Sequence, residues 1–339
     1  MRLKIYTTLF LFSSCNFLFA QDIHFSQLFS SPINLSPSQT GFFDGSHRFV
    51  ANHRNQWSAV SVPFITFSGS FDTNFKPNKR SNDKIGVGFL INSDKAGDSE
   101  FSTNQAYLNL TYIKSLNLRQ TSFLSLGIQS GVSQTSINYS KLTFDNQYNG
   151  TVYDPTILTD ENFDKTNFIH PDISSGISWL YKPRLYEFYS LGLSVSHINR
   201  PSLSFYDSQH NKLDRKIIGY FNAAFRINIR SLIMPGIIVS KQAANGEVIS
   251  GATAKLRMQP SAGNLTNVYI GAWYRNKDAP FIVLGVDYFN LYAAISYDIN
   301  ISQLSTVSHN RGGYEIALIY TWQKFKKYKK NKNACPSFI

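Results

Sequence analysis

From Ile65 to Trp322 apolar and polar residues alternate with a period of two. Ile65, Phe67 and Phe71 alternate with Thr66, Ser68 and Ser70. Ile85, Val87, Phe89 and Ile91 do so with Gly86, Gly88 and Asn92. The pattern returns around residues 105–112, 124–133, 173–179, 189–196, 217–227, 268–275, 282–288, 291–299 and 314–322. Three weaker segments, Arg48–Trp57, Leu232–Lys241 and Val248–Met258, complete the set. A strand whose two faces meet different surroundings gives this signal. The chain therefore reads as all-β, with about 14 antiparallel strands of roughly ten residues, the length that crosses a bilayer when tilted. A soluble sandwich would alternate too. Two features favour a transmembrane β-barrel. The polar face is mostly Ser, Gly, Asn and Gln rather than Lys and Glu, and Tyr, Phe and Trp gather near strand ends, as interfacial girdles require.

Connection lengths give a second test. If the first strand starts in the periplasm, the turns near Lys182–Leu185, Asn228–Arg230 and Asp287–Asn290 are periplasmic and short, with Phe71–Lys84 longer. The opposite set, Gln134–Pro171, Asn199–Arg215 and Ser302–Gly312, is long. Short turns on one side and long loops on the other is the outer-membrane arrangement. An even strand count then places both the N- and C-termini in the periplasm.

The first residues read as a leader. Met1-Arg2-Leu3-Lys4 is positive, Ile5–Phe12 is mostly apolar, and Leu18 and Ala20 occupy the cleavage-site positions. A single membrane anchor, or lipid modification at Cys15, are the alternatives. The expected division is 1–20 signal peptide, 21–45 a periplasmic or lumen-packed segment, 46–322 the barrel, and 323–339 a basic tail. Residues 21–45 carry little charge and contain Ser31-Pro32-Ile33-Asn34-Leu35-Ser36-Pro37, so they are expected to fold against the wall or lumen as a plug.

The net charge of +12 would suggest an anionic partner if it were spread evenly. It is not. Arg2 and Lys4 belong to the leader, and lysines 324, 326, 327, 329, 330 and 332 to a tail without acids; taking two and six from +12 leaves +4 on the body. Nucleic acid is not expected as a partner, whereas outer-membrane lipid is. After Ala20 only Cys335 remains, so an internal disulfide is excluded.

No catalytic constellation, cofactor site or metal site is expected. The seven histidines are scattered, and His170-Pro171-Asp172 reads as an ordinary loop near a rim. Asp94-Lys95-Ala96-Gly97-Asp98 has too few ligands at calcium spacing and reads as a turn. On the inner face, Asp287, Asp298 and Glu315 are expected to meet Arg226, Lys255 and Arg275, either as a network that fills the lumen or as a pore lining. In the longest outer loop, Phe144, Tyr148, Tyr153 and Phe163 are the candidate partner-binding residues, since interfaces favour aromatic anchors.

Certain short motifs carry a resemblance. Gln21-Asp22-Ile23-His24-Phe25-Ser26-Gln27, Ser31-Pro32 with Leu35-Ser36-Pro37, Gly41, and Arg54-Asn55-Gln56-Trp57 resemble the start of the PorP/SprF family. Ala294-Ile295-Ser296-Tyr297-Asp298-Ile299 with Leu304, then Gly312–Tyr320, and Cys335-Pro336-Ser337-Phe338 are similar to its end. Ile23 and Ser36 depart from the expected Pro and Asn. The family comprises outer-membrane proteins associated with the type IX secretion system and gliding motility of Bacteroidetes. The resemblance implies a barrel that works with other secretion components. It would support export or surface anchoring of a secreted protein, an adhesin or an enzyme, through that protein's C-terminal sorting domain. It supplies no catalytic residues. The alternatives are a porin for small solutes and a barrel enzyme.

Overall fold

The computed structural model describes residues 22–56, 62–78, 81–159, 165–205, 211–258, 265–302 and 309–322. The expected leader, Trp57, Phe163, Cys335 and the lysine tail lie outside the described residues. Fourteen strands form one closed antiparallel barrel in which each pairs with its sequence neighbours and the last with the first. They are β1 (His47–Gln56), β2 (Phe64–Phe75), β3 (Lys84–Ala96), β4 (Phe101–Ser115), β5 (Ser122–Ser136), β6 (Asn167–Arg184) and β7 (Glu187–Ser196). The rest are β8 (Lys216–Arg226), β9 (Ser231–Gln242), β10 (Asn245–Arg257), β11 (Leu265–Arg275), β12 (Ala279–Tyr288), β13 (Leu291–Ile299) and β14 (Arg311–Trp322). Each alternating segment, weak ones included, is a strand.

The two faces sort as the alternation requires. In β4, Leu108 is 68 % exposed while its neighbour Asn109 is 3 % exposed. Leu110, Leu126, Ile128, Leu193, Ile282 and Leu284 likewise point out, and Thr111, Ser125, Ser174, Ser178 and Ser194 are buried inside. An apolar exterior around a polar interior inverts the soluble pattern. It suits a bilayer, where closure leaves no unpaired strand edge in hydrocarbon. At the end where the chain enters β1 and leaves β14, the base, rings pack into a belt. Tyr181 stacks near Tyr189 at 6.3 Å, Tyr189 meets Phe225 at 5.5 Å, and Trp322 meets Tyr320 at 4.5 Å and Phe71 at 6.4 Å. Such aromatics favour the headgroup level.

Connections 76–83, 116–121, 185–186, 227–230, 258–264 and 289–290 lie at the base. The far end carries the long connections 137–166, 197–215 and 300–310. The longest loop is shorter than Gln134–Pro171, because β5 runs to Ser136 and β6 begins at Asn167. His170-Pro171-Asp172 is thus strand and not loop: Pro171 pairs with Val132 and faces out, while His170 and Asp172 are buried on the inner face. Pro171 masked the period there by standing at an outward position. Asp94, Lys95 and Ala96 also belong to a strand, β3, and only Gly97 and Asp98 to a turn.

Residues 22–46 thread the lumen lengthwise. Asp22 lies beside His197 at the far end, whereas Asp44 meets Lys182, and Ser46 donates its backbone N–H to Trp322, at the base. The described ends Asp22 and Trp322 therefore sit at opposite ends of the barrel. The chain ends expected in the periplasm lie outside the described residues, and the segment before β1 takes the lumen-packed course of the two expected for it. A short helix, α1 (Pro32–Leu35), divides the lumen. Proline at its first position lacks an N–H that the first turn could not have used. Ile33 packs on Leu90 and Tyr107 of one wall. Leu35 packs on the other, among Ile218, Tyr220, Ile238, Ile249, Phe281 and Val283.

Candidate functional site: a filled lumen beneath an aromatic outer loop

The threading segment lies on the wall where the wall has no side chains. A Cβ built on Gly127 would lie 2.4 Å from the Pro37 carbonyl carbon, and one on Gly86 2.2 Å from Thr40 O. Both contacts are with backbone, so only glycine lets the two chains approach this closely. On β4 between them, Thr111 Oγ1 donates to Pro37 O (2.8 Å), and on β7 Ser194 Oγ donates to Leu35 O (2.9 Å). Ser38, Gln39, Ser178 and Tyr220 form a side-chain hydrogen-bond cluster under α1. The small polar residues of the inner face are thus partners of the segment's backbone and side chains.

Two ionic clusters hold it. Near the base, Arg48 makes a bidentate pair with Asp72 (3.0 and 2.7 Å) and donates to Gln39 O, while Gly41 N–H donates to Asp72 (2.7 Å). The upper cluster forms where β1, β11, β13 and β14 meet. Ser26 N–H and Gln27 N–H each donate to one oxygen of Glu315, at 2.7 and 3.0 Å. Ser26 Oγ donates to Asp298, and Arg275 pairs with Asp298. Arg54 donates to His24 O (3.1 Å) and to Asp298 (3.2 Å), and His24 Nδ1 lies 3.2 Å from Glu247. Buried charges persist when such partners replace water, and some partners here belong to the threaded segment. Removing it would strip Glu315 of both amide donors.

Of the six charges expected inside, five lie in the lumen network and one does not. Lys255 pairs with Asp287 (3.5 Å) and Arg275 with Asp298. Glu315 is inside, although its closest partners are backbone amides of the segment. Arg226 is exposed at the end of β8 and donates to Asn228 O, so it is no member of the lumen network. Arg54, Arg48, Asp72 and Glu247 were not anticipated as network members. The motifs that carried the family resemblance do come together: Ser26 and Gln27, Arg54, Asp298 and Glu315 are one cluster.

A third group joins Asp22 to the far end. His197, just after β7, places Nε2 3.1 Å from Asp22 and Nδ1 3.0 Å from Asp172, which also accepts from Tyr107 OH (2.9 Å). Burial alone would lower the imidazole pKa, but Asp22 and Asp172 outweigh it and push it up to about 9.

Above this lies the loop 137–166. Gln147 organises its tip: its side chain accepts from Phe144 N–H and donates to Ile157 O, and its carbonyl accepts from Asp154 N–H. Tyr148 and Tyr153 face each other across a small antiparallel bridge, both exposed, whereas Phe144 is half-buried. Phe163 falls outside the described residues. The structure adds Val152 and Leu158, also exposed and apolar. The loop is tied down at both flanks. Tyr139 and Phe168 pack on Phe205 of the neighbouring loop at 6.3 and 4.8 Å. Lys141 and Lys95 both bind Glu100, whose carboxyl those hydrogen bonds pull down to about 2.

A membrane β-barrel whose lumen is occupied by its own N-terminal segment is the class these observations define. Residues 17–320 match the family described as type IX secretion system membrane protein PorP/SprF. The chain belongs to that family, and is an outer-membrane β-barrel of type IX secretion. Solved barrels with a similar path include the toluene transporter TbuX of Ralstonia pickettii, at 7 % identity and a TM-score of 0.48 over 84 % of this chain and 91 % of that one. A FadL homologue of Pseudomonas aeruginosa gives 9 % and 0.49 over 85 % and 93 %. BamA of Haemophilus ducreyi lacking POTRA domains 1–3 gives 7 % and 0.42 over 81 % and 70 %. These are likenesses of chain path only. No curated protein sequence matches the chain.

Proposed function

We propose that this barrel supports export or cell-surface anchoring of a partner secreted protein, an adhesin or an enzyme. It would do so by holding that protein's C-terminal sorting domain with the outer loops, alongside other type IX components. The base then faces the periplasm and the long loops face outward. What supports this reading, beside the family, is that the lumen is filled from Asp22 to Ser46 while the far end presents a braced loop with Tyr148, Val152, Tyr153 and Leu158 exposed. A filled barrel works as a scaffold, and exposed aromatics are the usual anchors of protein interfaces.

Deleting the gene tests the reading. The partner secreted protein is expected to be missing from the cell surface, and its undiminished presence there would sink the proposal. A porin for small solutes is the alternative, and planar-bilayer conductance separates the two. Silence fits the scaffold; steady ion-carrying channels fit the porin. No catalytic role is part of the proposal, and labelling of the purified barrel by activity-based probes would overturn that part.

A further inference from the structure

The base of the barrel carries a cluster of exposed arginines on one sector of the wall. At the far end several cations are matched: Lys95 and Lys141 with Glu100, Arg200 with Asp214, Lys216 with Asp22. At the base, between β6 and β11, stand Arg184, Arg226, Arg230, Lys255 and Arg257. Of these, Lys255 is half-buried on Asp287. Among the described residues, none of the four arginines lies within 4.0 Å of a carboxylate oxygen, and all four are exposed. The remaining acid in this sector is Glu187, which pairs in register with Arg184.

The arginines are held together by backbone and ring contacts. Arg226 and Lys255 flank the inward-facing Leu232, opposite it on either side, so they share the face that lines the mouth of the lumen. Arg257 N–H donates to Arg230 O (2.7 Å), and its guanidinium lies 4.4 Å from the ring centre of Tyr186. Hydrogen bonding to Arg257, together with the charges of Arg257, Arg226 and Lys255, lowers the Tyr186 hydroxyl pKa. The neighbouring stretch 259–264 (Gln-Pro-Ser-Ala-Gly-Asn) and the tail 323–339 contain no acid, so neither supplies counter-charge.

We infer that this basic patch at the mouth of the base, centred on Arg226, Arg230 and Arg257, is a docking site for an acidic segment of a periplasmic protein. Arg226 and Lys255 occupy lumen-side rather than lipid-side positions, which favours a protein segment over lipid headgroups. The compartment named rests on the orientation proposed above; the binding test does not.

The test uses the full-length barrel in phosphatidylcholine nanodiscs with a fluorescent decaglutamate peptide, read by anisotropy. Saturable binding is expected, weakening at least about tenfold between low and physiological salt. A similar loss of about tenfold is expected in Arg226→Gln/Arg230→Gln/Arg257→Gln. Lys95→Gln/Lys141→Gln at the far end is expected to bind as wild type does. Arg230→Gln alone, in the turn 227–230, replaces the triple variant if heat-modifiable gel mobility shows that the latter has not folded. Absence of binding, or wild-type binding by the folded arginine variant, overturns the proposal. So does a loss confined to a variant with the six tail lysines changed to Gln, which would assign binding to the tail. Abolition of binding by phosphatidylglycerol in the disc overturns it too, since lipid would then hold the patch.

Discussion

Glu315→Ala removes the acceptor of two backbone amides, Ser26 at 2.7 Å and Gln27 at 3.0 Å, and leaves Arg54 with one carboxylate fewer nearby. Hydrogen bonds to a charged group contribute about 1.5–3 kcal/mol each, so two together hold the segment by about 3–6 kcal/mol. Breaking a buried charge cluster by removing one partner costs a similar ~3–5 kcal/mol. The barrel wall survives, because residue 315 keeps its backbone pairing with Ser296 and Arg54. The loss therefore falls on the threaded segment. At about 1.4 kcal/mol per tenfold, even ~3 kcal/mol speeds local opening at least about a hundredfold. Hydrogen–deuterium exchange of peptides covering residues 22–30, compared with peptides from β4, reads this directly. Glu315→Gln keeps an acceptor of the same size and is expected to fall between wild type and Glu315→Ala. Unchanged exchange over 22–30 in a folded Glu315→Ala barrel would refute the view that this cluster latches the segment.

Other consequences can be checked singly. His197 has a folded pKa raised to about 9 against an ordinary value near 6.5. Its contribution is thus complete below the ordinary value and is lost as pH rises through about 9. Exchange at residues 22–24 should quicken over that window in wild type, and His197→Gln should remove the dependence; an identical pH profile in the variant contradicts the assignment. Gly127→Val sets side-chain atoms against the Pro37 backbone, so urea unfolding in vesicles should show a loss of about 1–3 kcal/mol, and an unshifted curve would mean the segment does not lie there. Leu108→Arg on the lipid face should cost ~2–4 kcal/mol in the same assay, whereas a near-zero cost would place residue 108 in water.

The barrel was legible in the sequence because every strand separates lipid from lumen, which imposes a period that single residues reveal. Even weak segments such as Val248–Met258 kept enough of it. The low charge of residues 22–45 fits where they lie: a segment that packs α1 between two walls has no use for exposed charge. What sequence did not reveal depends on pairings between distant strands. Arg54 faces Glu315 because β1 closes on β14 in one register, and no local pattern states that register. The direction of threading was hidden for the same reason. Asp22 finds His197 some 175 positions away, and only their meeting shows that the segment runs from far end to base. Arg226 was misplaced because parity names the face of a strand but not its depth, and a residue on the inner face at the strand end opens into solvent. Of the loop aromatics, Tyr148 and Tyr153 are brought together by the Gln147 hydrogen bonds, a local arrangement that composition could not disclose.

In the proposed function the far end holds a secreted partner. Replacing residues 143–159 with a Gly-Ser linker of equal length spares the barrel wall, the plug and the Glu100–Lys141 brace. With the variant shown to be folded in the outer membrane, surface labelling of the partner's C-terminal domain on intact cells is the most direct measurement. The partner is expected to leave the surface, accumulating in the medium or within the cell. Wild-type surface levels of the partner on cells carrying the variant would contradict it.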